Sequence, residues 1–172
     1  MSFAEFFQSI VSEDLKAVAA HWNDARGQRG IPTWEQIRPS AIQKQLPIIW
    51  SYRFDVERDD FIGRLAGNAI TQIAGAQFKD AWMSDLRPPQ LFPRALARTK
   101  RVITEPSFYR GLGLVYMTPS KKYYGERIAM PLANEAMTCE GVFGATEFHA
   151  FPTYYPKDAS GDQEAEFWFA LD

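Results

Sequence analysis

The placement of the period-two stretches constrains this chain most. Residues 48–55 read IIWSYRFD, with Trp50, Tyr52 and Phe54 on one face and Ser51, Arg53 and Asp55 on the other. Residues 57–60 form a polar turn, and residues 61–67, FIGRLAG, make the return strand of an antiparallel hairpin. Three further strand stretches follow at residues 108–118, 123–132 and 142–151, separated by short turns. Between the two groups, residues 68–104 show only helical spacing broken by Gly75 and Pro88-Pro89. Strand and helix units do not alternate, which excludes a doubly wound nucleotide fold. One five-stranded antiparallel sheet with short helices on one face, an α+β architecture, satisfies the string.

Ahead of the sheet, Phe3, Phe6, Phe7, Ile10, Val11, Val18 and Trp22 recur at three- and four-residue steps, so residues 3–25 are predicted to form one N-terminal helix stopped by Gly27 and Gly30. Its wide apolar stripe packs on its own domain or, in the sharper reading, completes a dimer interface. Pro39 opens a short helix through Ile42 to Leu46, closed by Pro47. In the middle segment, Ala69, Ile70 and Ile73 fit one short helix, residues 80–83 a single turn, and residues 91–103 a longer helix with Pro93 in its first turn. The stripe of that longer helix is predicted as Phe92, Leu96, Thr99 and Ile103, with Arg94, Arg98, Lys100 and Arg101 facing water.

At 172 residues the chain is one domain's worth. A net charge of -2 argues against a dedicated nucleic-acid binder, and the basic run of the longer helix is short and carries no interleaved aromatics. A single cysteine, Cys139, excludes an internal disulfide and a thiolate-rich zinc site; with only His21 and His149, a histidine-rich metal site is excluded as well. There is no apolar run long enough to span a membrane, and the acidic N-terminus does not read as a secretory signal, so a cytoplasmic protein is expected.

Several residues carry chemistry worth weighing. Arg64 and Arg127 stand mid-strand among apolar neighbours and offer guanidinium forks suited to an anion. By parity, Phe61 and Leu65 share the core face and Arg64 takes the outer one, where a pair with Glu126 or Glu147, or packing beneath the N-terminal helix, is the plainer alternative. Tyr109, Tyr116, Tyr123 and Tyr124 supply hydroxyls near the sheet, and Gly111 and Gly113 leave room on one strand face for a ligand or a packed helix. Glu147 and His149 share parity and could perform acid–base chemistry or join a metal site; surface pairing is the simpler reading. No catalytic residue and no metal ligand is assigned.

The ordered motifs resemble a known family. Two strands, a helical middle and three closing strands form the topology of PAS domains. Trp34, Pro39, Leu46-Pro47, Arg64-Leu65-Ala66-Gly67, Gly75 and the stretch from Glu126 to Leu132, ending in Pro-Leu, are similar to a bacterial, chiefly alphaproteobacterial, PAS-like group of unknown function. The resemblance covers roughly residues 20–150. It implies a small-molecule or protein-partner sensing role without catalysis, often as a dimer, with the ligand between sheet and helices. Alternation then lines that cavity with Trp50, Phe54, Leu65, Leu114 and Tyr116. The domain plan reads 1–30 as N-terminal helix and dimerisation element, 31–151 as the PAS-like domain, and 152–172 as a tail packing on the domain or a partner. The tail has no counterpart in the group, and its apolar end, residues 166–171, must bury somewhere.

The resemblance names no cofactor, which stays unknown. Cys139 lies outside the helical middle where a flavin adduct would form, and the histidines lie outside it too, which leaves haem unsupported. Without a kinase, cyclase or DNA-binding segment in view, a second copy or a separate signalling protein would read the state, with neither nucleic acid nor membrane as partner. Two other readings stay open: an enzyme using Glu147 and His149, and a structural adaptor or dimerisation protein with a filled core.

Overall fold

Both groups of strands hydrogen-bond into one sheet. In the computed structural model, which describes residues 3–28, 30–150 and 164–171, β1 (Ile49–Asp55) and β2 (Asp60–Ala66) form the hairpin, and β3 (Ser107–Met117), β4 (Lys122–Ala133) and β5 (Cys139–His149) form an antiparallel meander. β1 pairs antiparallel with β5, which joins the two groups. A sixth strand, β6 (Glu164–Ala170), lies along the outer edge of β3, giving the order β2-β1-β5-β4-β3-β6. The sheet therefore has six strands, one more than the sequence pattern indicated. The expected strand end at Phe151 and the loop from Pro152 to residue 163 lie outside the described residues.

The N-terminal segment is two helices rather than one. α1 (Phe3–Ser9) and α2 (Glu13–Arg26) are divided at residues 10–12, where Ser12 caps α2 by accepting from Leu15 N at 3.2 Å. The freed amides of Val11 and Ser12 donate to the Glu126 carboxylate at 3.1 and 2.8 Å. Glu126 comes from β4, is 1% exposed, and also accepts from Arg110 Nε at 2.5 Å. This carboxylate supplies the partner that a continuous helix would have supplied from within. The apolar stripe is buried on the domain's own sheet: Phe6, Ile10, Leu15, Val18 and Trp22 pack with Phe108, Ile128, Met130 and Phe143. Trp22 Nε1 donates to Pro131 O at 2.9 Å. Pro131 stands beyond the last β3–β4 pair, where no ladder N–H is required. Two 3₁₀ segments, Trp34–Gln36 and Pro39–Ile48, lead into β1.

The middle segment covers the opposite face. α3 (Asn68–Ala74) ends at Gly75 in the left-handed region, α4 spans Met83–Leu86 rather than residues 80–83, and α5 runs Phe92–Thr104. Asp60, buried at the start of β2, accepts from Ser84 Oγ at 2.6 Å and fixes α4 there. α5 is rotated relative to the expected stripe. Ala95, Thr99, Val102 and Ile103 are its buried positions, which brings Arg98 to the inner face. The four basic residues do not simply face water: Arg94 pairs with Glu166, Arg98 with Glu164, Lys100 with Asp59 and Arg101 with Glu105.

Two β-bulges set which side chains face the helices. On β2, Ser51 pairs with Leu65 and Tyr52 with Gly63, so Arg64 is the extra residue. Phe61 and Leu65 therefore face opposite sides, contrary to the parity expectation. On β3, the register shifts between Leu114 and Tyr116, and consecutive Val115 and Tyr116 both join the inner core. No helix of the described residues is long and apolar enough to cross a membrane.

Candidate functional site

Between the inner sheet face and α3, α4 and α5 lies a cavity of about 130 Å³. An engineered apolar cavity of about 150 Å³ holds benzene, so this space admits a molecule of similar size. Ile70, Ile73, Ala74 and Phe78 come from α3 and the segment after it, Leu91 and Ala95 from α5 and its N-cap, and Leu114 from β3. They form an apolar wall. Trp50, Tyr52, Tyr116 and Arg127 from the sheet, with Arg87, Arg94 and Arg98 from the helical side and Glu164 from β6, bring polar groups to the same space. An apolar body with a few convergent polar groups is the usual make-up of a small-molecule site.

The sheet holds its polar groups in place. Thr146 Oγ1, fully buried on β5, accepts from Trp50 Nε1 at 2.9 Å and lies 3.2 Å from the Tyr116 hydroxyl. Arg127 is 2% exposed; its Nη1 donates to Glu164 Oε2 at 3.0 Å and its Nη2 to the Val115 carbonyl. Arg98 Nη1 reaches the same Glu164 oxygen at 2.9 Å. One carboxylate oxygen from the tail thus binds guanidinium groups from α5 and β4. Burial works against the Glu164 carboxylate, but Arg127 and Arg98 outweigh it and hold the group below the usual carboxylate range. Burial likewise opposes the charge on Arg98, and Glu164 outweighs it, so Arg98 is raised; for the more enclosed Arg127, burial prevails and the value falls. The other oxygen, Glu164 Oε1, and the Tyr109 hydroxyl are buried without a well-formed hydrogen bond.

Gly111 explains how the carboxylate fits. A Cβ at this position would stand 1.8 Å from Glu164 Oε1 and 2.5 Å from the Tyr109 hydroxyl. Gly113, opposite Glu164 in the ladder, has φ 122°, a conformation that side chains disfavour. The room on this face of β3 serves a carboxylate, neither a free ligand nor a packed helix.

Burial also moves two tyrosines. Tyr52 is pushed up to about 12, with Arg87 opposing the burial. Tyr109 is pushed up by burial and by the neighbouring Glu164 charge. Both hydroxyls stay protonated, so Tyr52 can donate into the cavity.

The residues singled out in the sequence fall in different places. Trp50, Leu114 and Tyr116 line the cavity. Phe54 packs with Phe61 beside the inner core, under the ammonium of Lys100, and does not line the space. Leu65, turned by the bulge, packs against the core of the other face. Arg64 lies over the Trp34 ring and 3.7 Å from Glu140, so its carboxylate partner is neither Glu126 nor Glu147. Arg127 faces the cavity, but its charge is engaged by Glu164. Glu147 and His149 approach to 3.6 Å on a part-exposed rim, outside the cavity lining. Among the described residues, no group of three or more His, Cys, Asp or Glu side chains could hold a metal ion.

The sequence reading missed Glu164, Arg98 and Arg87. Glu164 had a readable signal. EAEFWFA alternates, with Glu164, Glu166 and Trp168 on one face and Ala165, Phe167 and Phe169 on the other.

Comparison with known proteins agrees with this architecture. No curated protein matches the chain. Among solved structures, a chain of the Vibrio cholerae VqmA dimer, a LuxR-type receptor described in the absence of its target DNA, superposes with a TM-score of 0.51 at 15% identity. The match covers 74% of this chain and 54% of that one, about half its length, and bears on the fold alone. The model of the PAS domain family matches residues 10–146. That span takes in α2, the whole of β1 to β4 and most of β5, and the chain belongs to the PAS domain family.

Proposed function

We propose that this PAS domain is a sensory or regulatory module that binds a small molecule in the cavity between its sheet and helices, without catalysis. The observation that carries this reading is the cavity itself, with its apolar wall of Ile70, Ile73, Phe78 and Leu114 and its polar groups from Tyr52, Arg87 and Tyr116. A filled core, as a pure adaptor would have, offers no such space. Trp50, Leu114 and Tyr116 are the proposed contacts from the sheet. Occupancy would act on α3, α4 and α5, which rest on the ligand's side, while the N-terminal helices rest on the other face of the same strands. A second copy of the chain or a separate signalling protein reads that change. Pairing of the α5 cations with Asp59, Glu105, Glu164 and Glu166 supports a partner other than nucleic acid.

Native mass spectrometry of protein purified without denaturation tests the reading. A bound small molecule of constant mass is expected, lost on replacing Leu114 by Trp to fill the cavity. Retention of the same mass in that folded variant would place the ligand elsewhere. Sedimentation at micromolar concentration, on the full chain and on a variant lacking residues 1–9, tests the second-copy branch. A strict monomer in both leaves the separate signalling protein as the reader.

A further inference from the structure

Charge on the cavity wall is unbalanced. Arg87, Arg94, Arg98, Arg127 and Glu164 all reach it. Arg94 is met by Glu166 at 3.0 Å, and Arg98 and Arg127 share Glu164. Four guanidinium groups therefore face two carboxylates. Arg87 has no carboxylate within ion-pair distance among the described residues. Its neighbours are the Tyr116 ring, with the guanidinium 5.5 Å from the centroid, and Tyr52, whose ionisation its charge favours against burial. Both tyrosines line the cavity, so the uncommitted cation stands at its polar end.

A neutral occupant would exclude water from Arg87 and leave that charge without a counter-ion. An anionic head would relieve the same penalty and gain charge-assisted hydrogen bonds. The apolar wall and the small volume limit the remainder of the molecule to a compact hydrocarbon body. We infer that the cavity selects a small monocarboxylate, one anionic head on a compact apolar body, with Arg87 as its counter-ion. The inference rests on the sensory reading above and names the ligand class for that same site.

Benzoate and benzamide have nearly the same shape and differ in charge at neutral pH. Titration of each into the full chain, followed by two-dimensional NMR of the residues around the cavity, separates the two questions. Benzoate is expected to bind about tenfold or more tightly than benzamide, with shifts centred on Tyr52, Ile70 and Leu114. Arg87→Gln should remove the preference by weakening benzoate far more than benzamide, and Arg87→Lys, which keeps the charge, should restore most of it. Thermal melts establish that both variants fold. Equal affinities would overturn the monocarboxylate inference and leave small-molecule binding standing. So would a benzoate preference that persists in Arg87→Gln. Absence of cavity shifts with either probe at millimolar concentration would overturn the sensory reading and the inference together.

Discussion

Replacing Glu164 by Ala leaves the buried Arg127 and the largely enclosed Arg98 without their shared carboxylate. Removing one partner of a buried ion pair costs about 3–5 kcal/mol. A domain of this size loses about 2–4 °C of Tm per kcal/mol, so a fall of about 10 °C is expected if the whole domain bears the cost. The fold has a cheaper response. Among the described residues β6 is hydrogen-bonded on one side only, to β3, and lifting it would hydrate both guanidinium groups. In that case Tm falls less, and the amides of residues 165–170 lose their protection against hydrogen exchange. Calorimetry and exchange mass spectrometry on the same variant distinguish the two responses. The pH dependence supplies a second signature. Glu164 is held below its ordinary value, so its stabilisation is present above about pH 4.3, the unfolded carboxyl value, and is lost as pH falls through the lower folded value. The gap between wild type and Glu164→Gln should therefore close in acid. A Glu164→Ala variant with unchanged Tm and a protected β6 would refute the claim that this carboxylate anchors the strand.

Three further outcomes follow from the packing. Gly111→Ala drives a methyl group into Glu164 Oε1 and the Tyr109 hydroxyl, and should cost about 1–3 kcal/mol in urea unfolding while speeding exchange along β6. Glu126→Gln removes the charge facing Arg110 and weakens the bonds to the Val11 and Ser12 amides; a loss of about 2–3 kcal/mol is expected, with α1 exchanging fastest. Tyr52 keeps its proton to about pH 12, so unfolding should become easier from about pH 10, where an exposed tyrosine ionises, up to that value. Tyr52→Phe should flatten this alkaline slope in pH-dependent melts.

What the sequence reveals of this fold depends on how local the cause is. The β1 alternation, the Gly75 stop after α3 and Pro93 in the first turn of α5 are set by neighbours in the chain, and each can be read there. The break between α1 and α2 cannot. Its amides are bonded by Glu126, more than a hundred positions later, while the apolar spacing runs through the break undisturbed. The two bulges are equally silent, because Arg64 and Val115 become extra residues only against a partner strand. The consequence reaches the site directly. Parity beyond Arg64 inverts, which takes Leu65 away from the cavity, and the extra residue on β3 sets Val115 and Tyr116 side by side in the inner core. The rotation of α5 was nearly legible. Ala95, Arg98, Thr99 and Val102 have helical spacing, but a charged residue in such a stripe reads as solvated until its counter-ion is known.

The alternating chemistry of β6 has a consequence for assembly. Glu164, Glu166 and Trp168 point towards the arginines, while Phe169, on the reverse side, meets the Phe6 ring. Sliding this segment by a single residue along β3 would turn both carboxylates to the opposite sheet face and strand the cations of α5. The backbone tolerates many alignments of an edge segment; these side chains admit one, so the tail proofreads its own docking.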